Sequence, residues 1–513
     1  MSSQQAESNG VNARANIGVI GTGVMGRGII QLFAQAGHKV YFYDAADGAV
    51  DKAAEFVSGM LQRAADKGRT SQEKADANKA GLQSCKSITD LADCDVVIEA
   101  IVENIDVKQK VFAELESVVA PTAILASNTS SLIVAEIAAR CELPERVVGL
   151  HFFNPVPLMK VAEVIPAVKT ASNNTDILKA LVENTGHRAV VAADQPGFLV
   201  NHAGRGYYTE ALRVIEEQIA SVVDVDRLMR DAAGFKMGPF ELMDLTGLDV
   251  SGKVMESIYT QFQHEPRFRP SSLVAPRLAA GLFGRKTGEG WYRYEDNKRV
   301  DPEQASHNIA AASGTVWVDP AADQAAEIAE LVVKAGAVVT EDSMNCDLLI
   351  VQPWGEDISQ VCAEQGLDAS RTVGVDPLPG LAVHRSLMIS PITKNECRDN
   401  ALSIFSCDGV AVTVINDSPG FVLQRVLATI VNIASNIAQR GIATVADIED
   451  SVKLGLGYPK GPLAWGDEIG GDNVLQILNN IFEVSGDPRY RPSAWLRRRV
   501  QLGHSLKTEE ASR

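Results

Sequence analysis

Two stretches of this chain occur twice, at the same spacing. QPGFLVNH (195–202) returns as SPGFVLQR (418–425), and IASVVDVDRLMRDAAGFKMGPFELMDLTG (219–247) returns as IATVADIEDSVKLGLGYPKGPLAWGDEIG (442–470), both offset by 223 residues without a gap. Gly238, Pro239, Asp244 and Gly247 recur as Gly461, Pro462, Asp467 and Gly470. Both copies carry helical periodicity, so the chain must build one all-α unit twice. At 513 residues a single core is excluded in any case. Between the copies, CDLLIVQPWGED (346–357) echoes CDVVIEAIVEN (94–104), and VGVDPLPG (373–380) echoes VGLHFFNP (148–155). The duplication therefore extends, in worn form, to the segment that precedes the helical unit.

That preceding segment alternates strands and helices. NIGVI (16–20) reads as a short buried strand. GTGVMGRGIIQLFAQAG follows at helical spacing and ends on Gly37, and KVYFYD (39–44) is a second strand ending on Asp44. A helix is expected from Asp47 to about Gly68, while CDVVIEAIVEN, AILASNTSSL and RVVGLHFFNP each supply a strand. The alternation predicts an α/β fold with a doubly wound parallel sheet. Gly21-x-Gly23-x-x-Gly26, enclosing Val24 and Met25, lies between the first strand and the first helix. Gly21 permits a tight turn, Gly23 lets a pyrophosphate approach the backbone, and Gly26 lets helix and strand pack closely. The phosphate then rests on free N–H groups at the helix N-terminus. Three glycines alone are a weak signal; the strand–helix context and the acid ending the next strand make this a Rossmann-type dinucleotide site. Asp44 would accept from the ribose hydroxyls and repel a 2′-phosphate, which favours NAD over NADP. The plain alternative for Asp44 is a helix cap or turn residue.

VVGLHFFNPVPLMKVAEVIPA (147–167) places His151 at the end of a strand and Glu163 inside an apolar run. Ligands of parallel sheets bind along the carboxyl edge that His151 occupies. Alternation puts Glu163 on the face of Val161 and Ile165, where an unpaired carboxylate is costly. An imidazole partner would remove that cost and fix the ring's tautomer, giving an oriented general base. The plain alternatives are a satisfied core histidine and a solvated edge-strand glutamate. SNTSSL (127–132) offers small hydroxyls for a substrate oxygen or, equally, a helix N-cap. Asn201 enters the helical unit on its first turns, where an asparagine needs a reason, such as a polar contact across a cleft.

GTGVMGRGI, EAIVEN, SNTSSL, GLHFFNPVPLMKVAEVI, PGFLVN, GPFELMDLTGLD and GRKTGEGWY, in this order over residues 15–294, resemble the L-3-hydroxyacyl-CoA dehydrogenase family. The resemblance implies oxidation of a (3S)-3-hydroxyacyl-CoA to the 3-ketoacyl-CoA with reduction of NAD. It implies that His151 is the general base and Glu163 its partner, and that Ser130 and Asn201 contact the substrate around the reacting oxygen. Ser130 and Asn154 are expected against the cofactor, and Glu103, Lys108 and Lys286 match cofactor-contacting positions. Lys67 could meet the coenzyme A phosphates, although a solvated helix-face lysine explains it as well. Arg205, one turn beyond Asn201, is a candidate cation for a dicarboxylyl substrate, against a stronger reading as a surface residue. Long chains with this layout resemble bacterial 3-hydroxybutyryl-CoA and 3-hydroxyadipyl-CoA dehydrogenases, the latter serving phenylacetate breakdown. A free 3-hydroxy acid dehydrogenase, such as one acting on L-gulonate, and a non-catalytic NAD-binding scaffold are the rivals.

The expected organisation is a polar tail (1–13), a Rossmann-type NAD domain (14–194), a helical substrate and dimerisation-type domain (195–295), a degenerate Rossmann-like segment (296–410) and a second, non-catalytic helical domain (411–513). The second half has Asp376 where His151 stands, Gln424 where Asn201 stands and no glycine-rich loop, so it reads as catalytically silent. Helical domains of the resembled family pair between subunits, so the second copy predicts a pseudo-dimer within one chain, with further homodimerisation possible. The net charge of −17 argues against nucleic acid and requires a local basic patch for a polyanionic ligand. No apolar run approaches a membrane span, and the polar opening lacks a signal core. Seven scattered cysteines show neither disulfide nor metal spacing, which points to reduced thiols, the cytoplasm and no metal.

Overall fold

A computed structural model describes residues 15–300 and 311–511; the polar opening segment lies outside them. The chain forms two compact units, one of residues up to His202 with Gly441–Leu456, the other of Ala203–Arg440 with Gly457–Arg513. No helix among the described residues is long and apolar enough to cross a membrane.

The first unit holds an eight-stranded sheet in the order β3-β2-β1-β4-β5-β6-β7-β8. The strands are β1 (Asn16–Ile20), β2 (Lys39–Tyr43), β3 (Leu82–Ser84), β4 (Val96–Glu99), β5 (Ile124–Ser127), β6 (Val147–Phe152), β7 (Val161–Pro166) and β8 (Arg188–Val191). Strands β4 and β6 are buried along their whole length, as sheets covered on both faces require. Ile17, Val19, Phe33, Val40, Phe42, Ile98 and Leu150 form the centre of the core. The order reverses at β1, which lies between β2 and β4, and this makes the crevice for a nucleotide.

The sheet is parallel as expected except at one pair: β7 runs antiparallel to β6, with β8 parallel to β7. The link 153–160 is too short for a crossover, which takes about a dozen residues or more, so the chain turns back. The reversal sets His151 directly opposite Glu163 in the strand register.

The second unit repeats this arrangement with losses. Its six-stranded sheet has the order β12-β11-β13-β14-β15-β16. After a two-stranded hairpin, β9 (Arg293–Glu295) with β10 (Lys298–Val300), the strands are β11 (Thr315–Val318), β12 (Val338–Thr340), β13 (Leu348–Val351), β14 (Thr372–Val375), β15 (Arg385–Ile389) and β16 (Val412–Asn416). Again one late strand reverses: β14 and β15 are antiparallel, while β15 and β16 are parallel. No strand stands between β13 and β14 where β5 stands between β4 and β6, so the turn equivalent to SNTSSL is missing. Strand β16 completes this sheet, which puts the start of the second helical copy after Asn416 rather than at 411.

In the same unit the two helical copies pack on each other, the helix Val422–Gln439 against Arg205–Glu216. Gly206 allows the approach: a Cβ there would stand 3.2 Å from Thr429 and Ile433 methyl groups. The turns Pro266–Phe268 and Pro488–Tyr490 meet reciprocally. Arg267 Nη2 donates to the Arg491 carbonyl at 2.8 Å, and Arg489 Nη2 to the Arg269 carbonyl at 3.1 Å. Such an exchange between corresponding residues is what a two-fold interface produces, here inside one chain. Asp244 of the first copy accepts from the Trp291 and Tyr292 N–H groups and from the Tyr294 hydroxyl, stitching GPFELMDLTG to GEGWY.

Candidate active site

The glycine loop fits a dinucleotide. Gly21 has φ +89°, and a Cβ on it would meet the Ala100 carbonyl at 2.5 Å; a Cβ on Gly26 would meet the Gly21 carbonyl at 1.8 Å. Gly23 has open space around it and caps the helix Val24–Gln35, whose first turn has no side-chain cap and no acid. The first-turn N–H groups are thus left for an anion. Val24 is exposed beside them, and Met25 packs beneath on the core. Asp44, at the end of β2, accepts from the Thr22 N–H and hydroxyl and from the Ala46 N–H. Partial burial works to raise its pKa, but these donors hold the carboxyl below its usual range. A fixed carboxylate at this edge suits ribose hydroxyls and opposes a phosphate.

At the carboxyl edge of β6, His151 Nδ1 lies 2.5 Å from Glu163 Oε2. Glu163 is fully buried, and its Oε1 accepts from the Leu199 N–H at 2.9 Å and the Val200 N–H at 2.7 Å. Three donors thus balance the removal of this carboxylate from water. An ionised Glu163 keeps the ring proton on Nδ1 and leaves Nε2 with its lone pair. Phe153 and Phe198 flank the ring at centroid distances of 4.4 and 5.9 Å.

Glu103 organises the SNTSS turn. Its Oε1 accepts from the Thr129 hydroxyl, the Ser130 and Ser131 N–H groups and the Ser131 hydroxyl, which fixes Ser130 in the turn after β5. Burial raises its pKa, yet Lys108 and these donors leave it below the usual range. Lys108 is buried, with its ammonium 2.6 Å from Glu99 and 3.3 Å from Glu103. It supports Glu103 from within the protein. Asn201 belongs to the short helix Val200–Ala203, directly after the two N–H groups that hold Glu163. Asn154 is exposed just beyond β6.

Lys67 and Lys286 have surroundings of their own. Lys67 lines a cavity of about 370 Å³ with Arg63, Arg69, Lys74 and the late residues Gln31 and Gln35 of the first helix. Lys286 lies in the other compact unit, paired with Asp249. Arg205 corrects its surface reading: it is buried, with its guanidinium 5.5 Å from the Tyr208 ring centroid. Sequence reasoning missed Glu99, which is fully buried and accepts from Lys108, the Ser127 hydroxyl and the Ile101 N–H. An acid ending the apolar strand VVIE was the available signal. It also missed Asp194, which caps the helix Val134–Ala138 through two N–H groups. Its recurrence as Asp417, which caps Ile358 and Ser359, was visible in the repeat.

Along the corresponding edge of the second sheet the side chains bond one another. Asp376 stands opposite Ser386, as His151 stands opposite Glu163, and Gln424 Nε2 donates to Asp376 Oδ1 at 2.9 Å. Gln324 and Gln352 bond each other reciprocally after β11 and β13, and Gln324 also donates to the Pro377 carbonyl.

The comparisons with known proteins agree with this geometry. Residues 16–195 match the family model of the 3-hydroxyacyl-CoA dehydrogenase NAD binding domain, and the model of the C-terminal domain matches twice, at 197–294 and 420–512. The chain is 35% identical over 486 residues to the 3-hydroxyadipyl-CoA dehydrogenase of Escherichia coli (strain K12), covering 95% of this chain and 97% of that one. It is 38% identical over 286 residues to the mitochondrial hydroxyacyl-coenzyme A dehydrogenase of Sus scrofa, covering 55% of this chain and 91% of that one. A crystal structure of 3-hydroxybutyryl-CoA dehydrogenase from Escherichia coli K12 aligns with a TM-score of 0.82 at 33% identity, over 95% of this chain and 98% of that one. The chain belongs to the 3-hydroxyacyl-CoA dehydrogenase family and is an NAD-dependent oxidoreductase with its C-terminal domain in duplicate.

Proposed function

We propose that His151 is the general base for oxidation of a (3S)-3-hydroxyacyl-CoA, with Glu163 as its orienting partner. The observation that carries this reading is the 2.5 Å contact between His151 Nδ1 and a fully buried Glu163 held by two further N–H donors. His151 Nε2 takes the hydroxyl proton as the C3–O bond becomes a carbonyl. NAD, when bound, supplies the acceptor for the hydride that leaves C3. Ser130 and Asn201 orient the C3 oxygen, and Asn154 and Glu103 border the nicotinamide side. General-base help of this kind supplies ~10²–10⁴-fold, and orientation much of the rest.

The acyl group is read as 3-hydroxyadipyl or 3-hydroxybutyryl, after the two Escherichia coli relatives that share the long layout. Phenylacetate or fatty-acid breakdown is the corresponding setting. The basic cavity of Lys67, Arg63, Arg69 and Lys74 supports a polyphosphate-bearing thioester on a chain of net charge −17. Seven free thiols support a reducing, cytoplasmic location. The reciprocal packing of the two helical copies supports an intrachain pseudo-dimer.

Nicotinamide absorbance with 3-hydroxybutyryl-CoA, 3-hydroxyadipyl-CoA and free 3-hydroxybutyrate tests the reading, with His151→Ala alongside. Turnover of the thioesters alone, abolished in the variant, is the expected result. Turnover of the free acid would move the protein to the rival enzyme class.

A further inference from the structure

Residues Gly441–Leu456 come from the second helical copy but fold into the compact unit that contains the catalytic pair. Their helix, Val445–Gly455, lies against β7 and β8. At its approach the Ala193 N–H donates to the Ile442 carbonyl at 2.8 Å. Arg188, on the outermost strand β8, then reaches two carboxylates of the helix, Asp447 Oδ1 at 2.6 Å and Asp450 Oδ2 at 3.1 Å. At the far end, a Cβ on Gly455 would stand 3.1 Å from both Val200 methyl groups and 3.3 Å from a Val161 methyl group.

Those two valines adjoin the supports of Glu163. Val161 shares its face of β7, two residues away, and the Val200 N–H donates to Glu163 Oε1. The approach contact is reciprocal, since the Asn416 N–H donates to the Ile219 carbonyl at 2.9 Å, but the arginine clamp and the glycine occur on this side alone. At the 223-residue offset, Asp447, Asp450 and Gly455 correspond to Asp224, Arg227 and Ala232 in the first copy, and Arg188 corresponds to Ala411. Ala411 cannot reproduce the clamp, and the second copy carries a glycine where the first has a side chain.

We propose that the second copy, although it has lost its own base, serves the reaction through this helix. Gly455 and the Arg188–Asp447 clamp are positioning residues that hold β7 and the Leu199–Val200 turn around Glu163, and through Glu163 the His151 ring. The inference rests on the assignment of His151 and Glu163 as the catalytic pair.

The test uses the full chain with NAD and 3-hydroxybutyryl-CoA, comparing wild type, Gly455→Val and the double variant Gly455→Val/Val200→Ala. Displacing the turn lowers kcat about tenfold or more, with both KM values within about twofold. Removing the Val200 methyl groups makes room again, and the double variant recovers most of the lost kcat. Rescue by deletion of a buried side chain is not what a merely stabilising contact would show. Unchanged kcat in Gly455→Val overturns the proposal, as does a loss that Val200→Ala does not relieve. If Gly455→Val does not fold, Asp447→Asn, which keeps the volume and removes the charge, must show the same kcat loss and Asp447→Glu a partial return. Full turnover by His151→Ala on native Gly455 would instead refute the catalytic assignment itself, so the two failures are distinguishable.

Discussion

Glu163 divides its oxygens between two tasks, Oε2 for His151 and Oε1 for two backbone N–H groups. A glutamine there has one accepting oxygen, which the two N–H donors claim, so its NH₂ faces His151 Nδ1. The ring proton is then driven to Nε2, the wrong nitrogen for a base. Glu163→Gln is expected to lower kcat by ~10²–10⁴-fold with small changes in KM, measured by initial rates. Asp44→Ala removes a carboxylate held ionised by Thr22 and Ala46; the KM for NAD should rise by about tenfold and the preference over NADP should shrink. In the second half, burial pushes Asp376 up to about 7 from an ordinary 3.8. Between those values the folded chain keeps a proton that the unfolded chain has released, so stability falls as pH rises, and the loss is complete above about 7. Asp376→Asn removes this dependence. Its stability relative to wild type should grow by about 2–3 kcal/mol between pH 5 and pH 8 in urea titrations. A pH-independent difference would sink the argument.

At the scale of elements, the contact between the helices Arg205–Glu216 and Val422–Gln439 carries a fully buried Arg425. It bonds Glu210 at 2.8 Å, Glu217 at 2.8 Å and the Tyr490 hydroxyl at 2.9 Å. At the repeat offset Arg425 corresponds to His202 and Glu210 to Ile433, so the ion pair exists in one sense only. Two first copies placed face to face would bury Glu210 without this cation, which favours the pairing of first with second copy. Arg425→Met strands a buried carboxylate and should destabilise by about 3–5 kcal/mol; adding Glu210→Gln should return part of the loss. Equal stability of the single and double variants in denaturant titrations would show that the pair is uncoupled.

For the whole molecule, the second half covers the Arg205–Glu216 face of the first. A chain ending at Val300 leaves the Arg205–Glu216 face and Glu210 exposed, and it is expected to sediment above the mass of one chain or to precipitate. The full chain should keep that face covered. How far the sequence reaches follows from the range of the interactions. The glycine loop, Asp44 at the end of β2, the strand ending on His151 and the 223-residue repeat are legible because each depends on neighbours within one turn or on an ungapped register. The sequence by itself determined an α/β nucleotide-binding layer followed by a helical layer, built twice, with one intact set of reactive side chains. Tertiary structure alone decided the reversal of β7, the burial of Lys108 between Glu99 and Glu103, and the lost strand of the second sheet. It also decided the return of Val445–Gly455 to the sheet edge beside Glu163. These depend on which segments meet across hundreds of residues, and no local periodicity records that choice.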